Sequence, residues 1–208
     1  VQYTTFTEDG AFAWVPTLTG VSRQSIFAGT APLYFESSLG STSKENSQWT
    51  RFWENRGAKK VEIGYVREGK DQQDDDFLNE VFKATEHPKL RILGVVVGKI
   101  DQSMHGVKTG SSGLHSVVRH WAHSGAMGRL GSRLLDLGYE VMVTADHGNI
   151  HCHGIGKPKI GVIADELGER ALVFKDEIMR AHVAKDFPDA FVWPQIGLPE
   201  SWRALLAP

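Results

Sequence analysis

An α/β fold, a three-layer sandwich built on a mainly parallel sheet, is what the sequence predicts. Three observations predict it. RILGVVVGKID carries an unbroken apolar run over 92–98, as expected of a strand covered on both faces. Residues 114–137 repeat Leu114, Val117, Val118, Trp121, Leu130, Leu134 and Leu137 at roughly the 3.6-residue period of a helix. After Gly138, YEVMVTA reads as a second buried strand over 139–145. Strand, helix and strand form a βαβ unit, whose crossover geometry puts both strands in one parallel sheet.

The other elements follow in order. WVPTLTG is turn-like, and VSRQSIFAG after it has helical spacing with Gly29 as its stop. Residues 36–48, ESSLGSTSKENSQ, are polar and rich in serine and read as an exposed excursion. WTRFWEN sets Trp49, Phe52 and Trp53 at helical spacing, a stripe expected to face the core, with Gly57 ending the helix. KKVEIGYV reads as a strand. DDDFLNEVFKATEH reads as a helix with Phe77, Leu78, Val81 and Phe82 inward, and Asp74, Asp75 and Asp76 as a solvated cap in preference to a metal site. The tail from Asp176 reads as a helix, an extended proline-containing link and a short helix.

Composition bounds the function classes. The chain has 208 residues, long enough for one sizeable core. Lys plus Arg is 23 and Asp plus Glu is 25, a net charge of −2, so no nucleic-acid or membrane partner is demanded on electrostatic grounds. The single cysteine, Cys152, forbids an internal disulfide and fits a reducing, cytoplasmic compartment. The apolar runs are strand-sized, so no membrane association is expected. VQYTTFTEDG has neither the basic flank nor the apolar core of a signal peptide, and it lacks Met. The chain is expected to be a piece of a longer protein.

Both strands of the βαβ unit end alike. VVVGKIDQSMHG brings Asp101 and His105 to one C-terminal end, and VMVTADHG brings Asp146 and His147 to the other. Ligands bind outside the carboxyl ends of strands in open α/β sheets, so the two Asp/His pairs are expected to converge. Carboxylate with imidazole suits zinc or manganese, and less naturally magnesium. One Asp-His-Gly alone is as readily turn chemistry; two pairs on two strand ends point to a two-metal site. In PTLTGVSRQSIFAG, Thr19 stands just before a predicted helix N-terminus, where backbone N–H groups favour an anion. Arg23, one turn on, can add a charge-assisted hydrogen bond to a phosphate oxygen or simply brace the motif. A threonine beside two metals can attack a phosphoryl centre. Without the metal pairs, Thr19 as a simple helix cap and Arg23 as a solvated residue would be the preferred reading; with them, phosphoryl transfer explains the site better. His151, Cys152 and His153 just past the Asp-His-Gly are read as loop residues, with replacement of a metal ligand by one histidine as the alternative. His115, His120, His123 and His182 are read as solvated helix residues.

TGVSRQSIFAG, DQSMHG and TADHGN resemble, in that order, the nucleophile motif and the two metal pairs of the alkaline phosphatase superfamily. PTLTGVSRQSIFAG, WTRFWENRG and FPDAFVWPQIGLPESWRALLAP resemble signatures of the PglZ domain, which occurs in bacterial phage-defence (BREX) systems and beside response-regulator modules. The resemblance implies one PglZ-like domain over 1–208 that lacks its first strand and C-terminal segment. It implies Thr19 as nucleophile, Asp101 and His105 on one metal, and Asp146 and His147 on the other. It implies two divalent ions, zinc or manganese, and a metal-dependent phosphodiesterase or phosphatase. The substrate would be a phosphate ester, a nucleotide or nucleic acid among the options, and other defence-system proteins the partners. The family pattern also has an Asp on a first strand and a His after the Leu-Leu-Ala-Pro stretch, so this chain alone is expected to bind metal weakly and turn over poorly. The alternatives are a phosphomutase or sulfatase of the same superfamily, the latter disfavoured by threonine at position 19, and a non-catalytic scaffold of a defence complex.

Overall fold

A computed structural model of the chain describes residues 7–34, 36–38, 40–106, 110–148, 154–156, 166–167 and 170–208. The helices and strands in chain order are α1 (Thr19–Ala28), α2 (Glu45–Glu54), β1 (Ile63–Arg67), α3 (Asp74–Thr85), β2 (Ile92–Val96), α4 (Lys99–Gly106), α5 (Gly110–His123) and α6 (Ala126–Asp136). There follow β3 (Glu166–Leu167), β4 (Ala171–Phe174), α7 (Glu177–Asp186), β5 (Phe191–Val192) and β6 (Arg203–Leu206). They fall into two compact units, one of residues up to Glu45 together with those from Ala145 on, the other of Asn46–Thr144.

In the 46–144 unit, β1 and β2 pair in parallel from Ile63 opposite Ile92 to Arg67 opposite Val96, with α3 in the connection between them. Phe77, Leu78 and Val81 of α3 and Ala126, Leu130 and Leu134 of α6 are buried in one core with Val66 of β1. The 3.6-residue spacing of these positions is the reason both segments are helical and one-faced. The acidic first turn of α3 complements the positive helix end. Its Asp75 pairs with Arg129 at 2.8 Å and its Asp74 with Lys99 at 3.2 Å. Trp49, Phe52 and Trp53 are only half-buried and pack on one another, Trp49 donating to the Gly64 carbonyl at 3.0 Å. The aromatic stripe is thus half-covered, not the fully core-facing face expected.

In the other unit the strand order is β3-β4-β6-β5, all antiparallel, with Ala171 opposite Leu206 and Phe191 opposite the same residue on the far side. Alternation along the strands sends residues to opposite faces. Val173 and Ala204 are buried with Val21 of α1, whereas Phe174 and Leu205 are buried with Val183 of α7. α1 and α7 therefore cover opposite faces of this sheet. Asp176 caps α7, its Oδ1 accepting the Ile178 N–H at 2.7 Å. Asp176→Ala is expected to cost about 1 kcal/mol, read as a lowered denaturant midpoint.

Several expectations are corrected. The helix over 114–137 is two helices. Ser124 separates them, and Gly125, at φ 76°, adopts a left-handed backbone that an unbroken helix cannot hold. Residues 139–145 are not in strand conformation, and Met142 and Val143 are each 88% exposed. The parallel βαβ unit is instead β1-α3-β2. Among the described residues parallel pairing is confined to those two strands, and the larger sheet is antiparallel. The final "short helix" of the tail is β6, because Ala204 and Leu205 alternate between the two faces of a buried strand. The polar stretch 36–48 is not wholly exposed, since Glu45 within it is fully buried.

Candidate functional site

Thr19 is the first residue of α1, and the backbone of Leu18 before it is extended (φ −92°, ψ 141°). Val21 N–H and Ser22 N–H turn back to the Leu18 carbonyl at 3.0 and 2.9 Å. No side chain caps this end. The Thr19 and Gly20 N–H groups, among the donors every helix start leaves open, have no partner among the described residues. α1 itself is held by Val21 in the sheet core and stopped by Gly29 at φ 60°, as its sequence predicts. The Thr19 hydroxyl is thus not spent on capping. It lies 3.4 Å from Nε2 of His147, a residue 128 positions away in sequence.

His147 is oriented by its neighbours. Its backbone N–H donates to Asp146 Oδ1 at 3.0 Å, and its ring Nδ1 is 3.0 Å from the Gly148 carbonyl. A carbonyl only accepts, so Nδ1 carries a proton and Nε2 is the ring nitrogen that faces Thr19. Asp146 Oδ2 is 3.7 Å from the same Nε2. The two side chains are 27% and 21% exposed, open enough for a ligand to reach. A hydroxyl, an imidazole nitrogen with its proton fixed on the far side, and a carboxylate therefore gather around one point. That donor set fits a divalent cation, because imidazole ligands are held in this tautomer by a hydrogen bond at the other nitrogen. Among the described residues no group of three or more His, Cys, Asp or Glu side chains is gathered in this way.

Arg23 is engaged within the fold. Its Nη2 donates to Glu45 Oε2 at 2.6 Å, with the two side chains 14% and 1% exposed. The guanidinium is neither solvated nor turned out as an anion clamp; it is one half of a buried ion pair. The next residue, Gln24, is also fully buried. It donates to the carbonyls of Gly20 and Ser38 and accepts from the Ser38 hydroxyl at 2.7 Å. Two consecutive residues of α1 thus fasten Ser38 and Glu45 to the helix that carries Thr19. Sequence reading misses Glu45, Gln24 and Ser38, since each is defined by a partner 14 or 22 positions away.

Asp101 and His105 lie in the 46–144 unit. β2 ends at Val96, and both residues are on α4, one turn apart, with Asp101 exposed. His115, His120, His123 and His182 are exposed, as expected. His151, Cys152 and His153 lie outside the described residues. No helix among the described residues is long and apolar enough to cross a membrane.

A family model described as the BREX system PglZ alkaline phosphatase-like domain matches residues 2–206. No curated protein matches the chain.

Proposed function

Because the chain belongs to the PglZ family of BREX alkaline phosphatase-like domains, we propose that it is a metal-dependent phosphoryl-transfer hydrolase, a phosphodiesterase or phosphatase, with Thr19 as its nucleophile. The observation that carries this reading is the uncapped Thr19 hydroxyl 3.4 Å from a His147 nitrogen whose proton is held on the opposite side of the ring.

The residues act as follows. The open N–H groups at the start of α1 receive the non-bridging oxygens of a phosphate ester. Thr19 Oγ1, its proton released to solvent, attacks phosphorus in line; the ester oxygen opposite leaves with its electron pair and takes up a proton, and water then hydrolyses the phosphothreonine ester to free the phosphate product and return the threonine hydroxyl. Asp146 and His147 would hold one divalent ion beside Thr19, and Asp101 and His105 a second. Zinc, with manganese as the alternative, would supply Lewis-acid stabilisation of the attacking, leaving and non-bridging oxygens. Arg23 braces α1 through Glu45. A nucleotide or nucleic-acid phosphodiester is the proposed substrate class, other BREX-system proteins the partners and the cytoplasm the compartment. The proposal retains the three-layer arrangement with a mainly parallel sheet to which β1 and β2 would belong.

Elemental analysis of the full-length parent and of its Asp146→Ala variant, beside hydrolysis of a chromogenic phosphodiester with zinc or manganese added, tests the reading. Metal and turnover in the parent, both lost with Asp146, are expected. Metal retained by Asp146→Ala at the parental level would remove this pair from the metal site. A folded, full-length protein without turnover would favour the scaffold reading.

A further inference from the structure

Glu68, one residue past β1, is unusual for a carboxylate: its side chain is only 2% exposed. Its backbone N–H donates to the Val96 carbonyl at 2.9 Å, continuing the ladder between β1 and β2. Its Oε2 accepts two backbone N–H groups, Gly98 at 2.7 Å and Lys99 at 2.9 Å. These are the first donors of α4, whose helical ladder starts with Gln102 N–H on the Gly98 carbonyl at 3.0 Å. Gly98 has no side chain with which to cap the helix itself. Glu68 does so from thirty positions away. Its other oxygen lies 3.8 Å from Lys99 Nζ, which also donates to the Gln72 carbonyl at 3.0 Å and pairs with Asp74 at 3.2 Å.

A buried carboxylate is costly unless every lone pair and its charge are answered. Here the charge is met by two N–H groups on one oxygen and an ammonium 3.8 Å from the other. What that arrangement fixes is the point where α4 begins. Each residue of a helix turns it by about 100°, so a start displaced by one residue would swing everything after it by that angle. Asp101 is the third residue of α4 and His105 the seventh.

We propose that Glu68 is a positioning residue for the Asp101–His105 pair: by capping α4 it sets the rotation at which that pair meets its divalent ion. The inference rests on the reading of Asp101 and His105 as metal ligands given above. Glu68 touches neither substrate nor ion; it acts through the helix.

The test is titration of the folded full-length protein with zinc or manganese against a chromogenic chelator, so that binding is read without turnover. Glu68→Gln keeps the volume but loses the charge and one acceptor. It is expected to weaken one of the two ions by about ten-fold or more and leave the other as in the parent, the size typical of a residue that orients a metal ligand. Asp101→Ala should weaken the same ion. Leu130→Ala, which lowers stability from the α6 core, should leave both affinities unchanged at temperatures where it is folded. Parental affinity for both ions in Glu68→Gln, with only a lower melting temperature, would reduce Glu68 to a stabilising cap and overturn the inference. Parental affinity in Asp101→Ala would overturn the metal reading of the pair, and the inference with it.

Discussion

Thr19→Ala is expected to abolish hydrolysis of a chromogenic phosphodiester, by on the order of 10⁴-fold or more, while the protein stays folded. Removal of a nucleophile leaves only the catalysis that binding and electrostatics supply. The fold should not notice. Thr19 makes no capping bond, alanine is the better helix former, and Val21, two positions on, carries the packing of α1. The variant should therefore unfold within about 0.5 kcal/mol of the parent, the range of a surface change. Thr19→Ser, which keeps a hydroxyl, should retain measurable turnover. Near-ultraviolet circular dichroism and a denaturant curve beside the rate measurement check both halves. Undiminished turnover in Thr19→Ala would remove the hydroxyl from the reaction; preserved defence function without turnover would support a scaffold.

Glu45→Ala should be the more damaging change to stability, by about 3 kcal/mol or more. Removing one partner of a buried ion pair strands the other charge, and that penalty exceeds what the pair itself contributes. Arg23, 14% exposed, has little water to turn to. The same reasoning predicts that Arg23→Met combined with Glu45→Met regains most of the loss, because no charge is then left buried. A denaturant series on the two single variants and the double variant gives the coupling directly. Near-additive losses would mean that the 2.6 Å contact carries no special weight. Turnover adds a second reading. If the pair braces α1, Arg23→Lys and Glu45→Gln should both lower kcat and leave inhibition by inorganic phosphate unchanged, whereas an arginine that clamps phosphate would weaken that inhibition on its own.

The parts of this molecule that were legible in its sequence are those decided locally. α1 ends at Gly29 and α3 buries Phe77, Leu78 and Val81, because period and stop signals lie within one or two turns. Asp146 and His147 stood out because an apolar run turned polar at once, and the structure brings them to Thr19. The rest depended on partners that a local window does not contain. Whether 139–145 pairs as a strand depends on a neighbour, not on its own valines. The break at Gly125 sits inside a run whose apolar residues keep nearly helical phase on both sides, so period alone passes over it. Glu45 and Glu68 look like any surface carboxylate until Arg23 and the Gly98 and Lys99 amides are found against them. The antiparallel pairing of β4 with β6 joins segments separated by α7 and a proline-rich link, and four-residue strands leave little pattern to read.

The unit that holds Thr19 and His147 is written in two pieces, with Asn46–Thr144 between them. That order has a kinetic consequence. The two residues are 128 positions apart, so their meeting closes a very long loop, and loop-closure entropy must be met before any contact between the pieces repays it. The intervening unit has its own core of α3, α6 and β1, made of contacts nearer in sequence, and it can form first and shorten the effective loop. During synthesis the helix bearing Thr19 emerges long before His147. The Thr19–His147 contact therefore waits on the synthesis of the second piece, and a nascent or clipped chain without that piece carries the threonine alone.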